Sequence, residues 1–177
     1  GRIAYLISEF VHGRTIRDLL DRSGPAGGDL ARRIGEQAAL GLAALHEAGI
    51  VHRDVKPENL LITDDGAEIR LADLGLARPG GSGKGRAGSF EGSLAYAAPE
   101  VLVGRPATPQ SDLYALGLVL HEVVTGRHPF AGLRGDAMLH AHLHTPPPRP
   151  SHLQPQVSAF FDAIIGELAE VYAGKGY

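Results

Sequence analysis

Eight consecutive residues, His52-Arg53-Asp54-Val55-Lys56-Pro57-Glu58-Asn59, place a carboxylate, an ammonium and a carboxamide within one short polar stretch. Nineteen residues after Asp54 stands Asp73-Leu74-Gly75, a second carboxylate followed by a flexible residue. Oxygen-bearing side chains such as Asn59 and Asp73 suit Mg²⁺, which favours oxygen ligands and keeps waters and substrate phosphates in its other positions. Phosphoryl transfer needs such a set: a metal that neutralises phosphate charge, a cation near the moving group, and a carboxylate that positions the attacking hydroxyl and accepts its proton.

The elements that must hold these residues can be read from the pattern around them. Thr15 and Asp18 have the spacing of a helix capping box, with Ile16, Leu19 and Leu20 as a short apolar face, which predicts a helix of two turns. Asp29 is expected to cap a long amphipathic helix in which Leu30, Ile34, Ala38, Leu42 and Leu45 recur, ending near Gly49. Leu60 to Thr63 and Ala67 to Leu71, joined by Asp64-Asp65-Gly66, predict a small β-hairpin. The polar segment 52–59 then lies between helix and hairpin, rigidly mounted yet exposed.

Elsewhere, Tyr5 to Ser8 is an apolar run suited to a strand, followed by a linker to Gly13. Residues 78–92 include six Gly and few apolar side chains, which predicts a surface loop. Ser111 is expected to cap a helix apolar on nearly all sides from Leu113 to Val124, except at His121 and Glu122, and stopped by Gly126. Such a helix is too short for a bilayer, which needs about 20 apolar residues, so it belongs in a protein core. A His-bearing helix over about 136–144 and a last amphipathic one over about 158–170 flank a Pro-rich stretch, Pro146 to Pro150. His140 and His144 share a helix face; the pattern reads as a solvated helix rich in His rather than a metal site.

Composition narrows the classes further. The 177 residues are about one domain's worth, and a net charge of −3 argues against a nucleic-acid or acidic-membrane surface. With no Cys, disulfide scaffolds, thiolate zinc modules and cysteine enzymes are excluded. The chain has no initiator Met and nothing like a signal peptide, so part of a larger cytoplasmic protein is expected, with room for a membrane anchor outside these residues.

The motifs together resemble the large, mostly helical lobe of eukaryotic-type protein kinases, in particular the bacterial Ser/Thr kinases. Residues 52–59 match the catalytic loop of that family, and Asp73-Leu74-Gly75 sits where its Asp-Phe-Gly motif belongs. Gly92-Ser93-x-x-Tyr96 before Ala98-Pro99-Glu100, Ser111-Asp112-Leu113-Tyr114-Ala115-Leu116-Gly117, and Thr125-Gly126-Arg127-His128-Pro129-Phe130 follow in family order. The resemblance implies an α+β, protein-kinase-like fold, mostly a helical C-terminal lobe with a small β-hairpin, over a partial kinase domain spanning 1–177.

It also implies roles. Asp54 would be the base or hydroxyl-orienting carboxylate, Lys56 the γ-phosphate contact, and Asn59 and Asp73 the magnesium ligands, with ATP and Mg²⁺ as cofactors. Lys56 in that place implies Ser/Thr acceptors on a protein substrate. Glu9 and Val11 would lie in the hinge that binds adenine through backbone groups, and Ser8 would be a small gatekeeper opening a back pocket. Asp112 would hold the catalytic-loop backbone, and Arg53 would meet a phosphorylated residue. Ser82 and Ser89 would be the sites of autophosphorylation, since Ser93 aligns with a residue that touches the catalytic Asp and Lys.

The chain departs from the family in three places. A Gly-rich loop, a strand Lys and a helix Glu are absent from it, since no Lys precedes Lys56, which implies weak catalysis by these residues alone. Leu74 replaces Phe, and no Arg follows Arg149 to pair with Glu100. The alternative to an enzyme is a catalytically impaired kinase lobe that acts as a protein-binding or regulatory module.

Overall fold

In the computed structural model, which describes residues 8–74, 77–79 and 93–170, the capping box forms as the spacing predicts. Gly13–Thr15 (β1) leads into Ile16–Ser23 (α1), where the Thr15 hydroxyl accepts the Asp18 amide at 3.0 Å and the Asp18 carboxylate accepts the Thr15 amide at 3.2 Å. Ile16, Leu19 and Leu20 turn inward. Gly28–Glu47 (α2) follows and buries Ile34, Ala38 and Leu42 of the predicted stripe together with Ala31, while Leu30 and Leu45, at the two ends of that stripe, are half-buried. Its cap is a correction: the N-cap is Gly27, with no side-chain bond, and Asp29 sits inside the first turn, where a carboxylate still favours the helix dipole.

Ile50–Val51 (β2) precedes the polar segment, which ends in a 3₁₀ turn, Pro57–Asn59, and runs straight into Leu60–Thr63 (β3). Ile69–Leu71 (β4) pairs with β3 antiparallel, Leu60 facing Leu71 and Ile62 facing Ile69, as the hairpin pattern predicts. β1 adds a third strand that the pattern did not announce, with Gly13 opposite Thr63 and Thr15 opposite Leu61, so the sheet order is β1-β3-β4. A second correction concerns the segment expected to be loop from residue 78: Arg78–Pro79 (β5) pairs with β2. Residues 1–7, 75, 76, 80–92 and 171–177 lie outside the described residues. With them lie most of the predicted Tyr5 to Ser8 strand, Gly75, Ser82, Ser89 and most of the Gly-rich segment.

A 3₁₀ turn, Ser93–Tyr96, and Pro99–Leu102 (α3) lead to the central helix, Pro109–Thr125 (α4), which buries 14 of its 17 residues. That burial explains its nearly uniform apolarity. Here too the cap differs: Thr108 is the N-cap, Pro109 opens the helix, and Ser111 reaches back so that its hydroxyl accepts the Thr108 amide at 2.8 Å. Gly126 ends α4 in the left-handed conformation, φ 74, as a C-terminal glycine should.

Gly135–His144 (α5), Pro150–Leu153 (α6) and Ala159–Glu170 (α7) complete the chain. α6 was not foreseen within the Pro-rich stretch. α4 packs between α2 and α7, and at Gly117 the approach is so close that an added Cβ would lie 2.9 Å from the Leu168 Cβ.

His142 anchors α5 to this core. It is 5% exposed, with Nδ1 2.8 Å from the Tyr114 hydroxyl and its ring 4.9 Å from that of Phe130. Burial, with His128 nearby, lowers its pKa from 6.5 to about 4. Between those values the unfolded chain binds a proton that the folded chain refuses, so stability falls as pH drops from 6.5 toward 4. At about 1.4 kcal/mol per pKa unit, His142 is expected to account for about 3 kcal/mol lost between pH 7 and pH 4. Denaturant unfolding of wild type and His142→Gln at both pH values checks this; equal losses would contradict it.

Candidate active site

The polar loop is fastened from beneath by Asp112, which is 1% exposed in the first turn of α4. Its Oδ2 accepts the His52 amide and its Oδ1 the Arg53 amide, each at 2.8 Å. His46, in the last turn of α2, brings Nε2 within 2.8 Å of the same Oδ2. The backbone at Arg53 has φ 72, a left-handed conformation that costs a non-Gly residue about 1–3 kcal/mol unless its surroundings impose it. The pair of amide bonds to one buried carboxylate imposes it. Asp112 thus holds the loop backbone, as the resemblance implies.

His52 is fully buried and links the loop to the hairpin. Its Nδ1 accepts the Asp54 amide at 3.3 Å, so the ring proton sits on Nε2 and is donated to the Ala72 carbonyl at 3.1 Å. Ala72 is also held from the other side, because its amide donates to the Asn59 carbonyl at 2.8 Å. Asp73 follows directly, exposed and at φ 60, a conformation that Asp tolerates better than most residues. The two hydrogen bonds of Ala72 therefore set Asp73 beside the loop across the β3–β4 pairing.

Within the loop, Asp54, Lys56 and Asn59 meet in one hydrogen-bonded cluster. The Lys56 ammonium donates to Asp54 Oδ2 at 2.6 Å. The Asn59 amide nitrogen donates to the same Oδ2 at 2.9 Å and to the Asp54 carbonyl at 2.8 Å. Both hydrogens of the Asn59 amide face Asp54, which leaves its carbonyl oxygen as an acceptor for another partner. Asp54 and Asn59 are 8% and 6% exposed, whereas Lys56 is half-buried, so the carboxylate and carboxamide are enclosed and the cation reaches solvent.

Glu9 is exposed and Val11 half-buried. They line a groove with Phe10, His12, Asp64 and Arg70, and the Asp64 amide donates to the His12 carbonyl at 3.1 Å. The described lining of that groove does not include Asp54, Lys56, Asn59 or Asp73.

Residues 2–168 match the family model described as the protein kinase domain. The chain belongs to the protein kinase family. Its similarity is to bacterial serine/threonine kinases. The serine/threonine-protein kinase PknA of Mycobacterium tuberculosis is 40% identical over 167 residues, 93% of this chain and 38% of that protein. PknL of the same species is 38% identical over 166 residues, 93% of this chain and 41% of that protein. A serine/threonine kinase of Corynebacterium efficiens, drp72, is 37% identical over 163 residues, 92% of this chain and 31% of that protein. The chain thus spans 31–41% of the length of these curated relatives.

The kinase fold gathers around the 52–59 loop a set of residues that sequence reasoning missed. Arg17 of α1 donates from Nε to Glu58 and from Nη1 to Glu122, both at 2.9 Å, and from Nη2 to the Tyr96 hydroxyl at 2.9 Å. Tyr96 in turn donates to the other oxygen of Glu122. Burial works against the Arg17 charge, but the hydrogen bonds it donates to Glu122 and Glu58 outweigh it and hold the guanidinium above its ordinary pKa. Burial, then the charge of Glu122, raises the Tyr96 hydroxyl, which stays protonated. One cation therefore ties α1, the 52–59 loop, the 93–96 turn and α4 together. The only advance signal was Glu122, with His121 one of two polar residues in the apolar run from Leu113 to Val124.

Two further kinase-motif residues behave as their surroundings dictate. His128 accepts the Phe130 amide on Nδ1 at 3.1 Å, so its Nε2 proton goes to the Ala95 carbonyl at 2.8 Å and anchors the 93–96 turn. Glu100, 5% exposed, accepts the Ser111 hydroxyl on one oxygen, while Oε2 has no hydrogen-bond partner among the described residues. No helix among the described residues is long and apolar enough to cross a membrane.

Proposed function

We propose that these residues are the hinge and large lobe of a protein serine/threonine kinase that transfers the γ-phosphoryl group of ATP to Ser or Thr hydroxyls of a protein. The observation that carries the reading is the Asp54–Lys56–Asn59 cluster, a buried carboxylate with a cation and a carboxamide on the same oxygen, on a loop locked to α4 by Asp112.

In this reading the carboxylate of Asp54 orients the acceptor hydroxyl and takes its proton as the oxygen–phosphorus bond forms and the bond to the ADP oxygen breaks. Lys56 neutralises charge on the moving phosphoryl group. Asn59 holds Asp54 in place through its amide hydrogens. The Asn59 carbonyl oxygen and the Asp73 carboxylate would hold Mg²⁺. That donor set fits the ion in kind: both are oxygen donors, and Mg²⁺ is usually bound through one or two carboxylates with waters and substrate phosphates supplying the rest. When bound, the ion supplies charge neutralisation between the phosphates. Glu9 and Val11 contribute backbone groups to adenine, and Ser82 or Ser89 receives phosphate in autophosphorylation. An ATP-dependent domain of this kind works in the cytoplasm.

The test is phosphoryl transfer by the full-length protein to a generic basic protein, with phosphoamino-acid analysis of the product. The expected result is phosphoserine and phosphothreonine without phosphotyrosine. Absence of transfer by the wild type would overturn the reading in favour of a binding or regulatory lobe.

A further inference from the structure

The three histidines of α5 have separate fates, and only one of them is structural. His142 is buried against Tyr114 and Phe130, which fixes the helix to the core. His140 and His144, four residues apart, are both exposed, and their ring centres lie 4.7 Å apart with planes inclined by 55°. Neither side chain serves the kinase chemistry proposed above. Sequence alone reads this pair as solvated; the ring separation points elsewhere.

Imidazole nitrogens suit Cu²⁺, Ni²⁺ and Zn²⁺, and two His at i and i+4 on one helix face are a known way to present them to a single ion. Metal–nitrogen bonds are about 2.0–2.1 Å, and a ring centre lies about 1.1 Å behind its ligating nitrogen. Two imidazoles bound to one ion at about 90–110° therefore have centres about 4.4–5.2 Å apart. The observed 4.7 Å lies inside that interval.

We propose that His140 and His144 form a two-imidazole site for a divalent transition-metal ion, with the preference Cu²⁺ over Ni²⁺ and Zn²⁺ that the general affinity order favours. The site sits at the C-terminal end of α5, whose last residue is His144, so the negative end of the helix dipole adds to the attraction for a cation. The helix is pre-positioned by His142 on another face, so little ordering is needed on binding. No third His, Cys, Asp or Glu joins the pair among the described residues, so water completes the coordination and the ion exchanges readily. Mg²⁺, which takes oxygen ligands, does not compete there.

The test is titration of the full-length protein with Cu²⁺ alone and with Ni²⁺ alone, in excess Mg²⁺, by calorimetry and by NMR of the imidazole signals. His140→Ala, His144→Ala and the control His152→Ala are compared with wild type. The expected result is broadening of the His140 and His144 signals first, with affinity lowered roughly tenfold or more in each α5 variant and unchanged in the control. Wild-type affinity in both α5 variants overturns the proposal. Loss in only one of them also overturns it, because that identifies a single imidazole contact rather than a chelate.

Discussion

Replacing Asp54 by Ala is expected to slow phosphoryl transfer by the full-length protein about 10²–10⁴-fold, the usual contribution of a positioned general base. The substitution should leave the fold nearly intact. Asn59 keeps its bond to the Asp54 backbone carbonyl at 2.8 Å, and the Lys56 ammonium is exposed enough to find water. Rate and stability are thereby separable: initial rates with Mg-ATP and a basic protein report the first, and the denaturant midpoint reports the second. A variant that transfers phosphate within about twofold of wild type would remove Asp54 from the reaction.

Asp112→Ala is expected to cost about 3–5 kcal/mol of stability, the scale for removing one partner of a buried charged network. The carboxylate is 1% exposed and receives the amides of His52 and Arg53 and the ring of His46. Without it two buried backbone N–H groups lose their acceptor, and the left-handed backbone at Arg53 loses what holds it. Asp112→Asn should fall between, since one of its two positions becomes an amide that faces another donor. Against a typical total of about 5–15 kcal/mol, the loss is large enough to lower the folded population. Denaturant unfolding measures it, and hydrogen exchange at the His52 and Arg53 amides reports the local effect. A cost below about 1 kcal/mol, with protected amides, would contradict the role of Asp112.

What sequence revealed and what it concealed follow from the range of each interaction. Thr15 with Asp18, the Leu60–Leu71 hairpin and the stripe of α2 are local patterns, and local patterns have periods and spacings that can be read. β2 and β5 have two residues each, too few for any alternation to show. Ser111 looked like a cap because the Thr108-Pro109 start, three residues earlier, sets the helix boundary instead. Asp54, Lys56 and Asn59 were legible as a group because one loop carries them all. Arg17 and Glu122 are 105 residues apart, and only the tertiary fold brings the guanidinium to that carboxylate, to Glu58 and to Tyr96. The clamp of Ala72 between Asn59 and His52 is likewise tertiary, although Asp73 itself stood out by its motif.

The central claim is that Asn59 and Asp73, linked through the Ala72 amide that donates to the Asn59 carbonyl, serve one magnesium–nucleotide complex. Its most direct test is thermal stabilisation of the full-length protein by ATP at millimolar concentration, with and without Mg²⁺, in wild type and in Asp73→Asn. The account predicts stabilisation that requires Mg²⁺ in the wild type and is largely lost in the variant, since binding to the folded state alone raises stability. Equal, Mg²⁺-independent stabilisation of both proteins would contradict it.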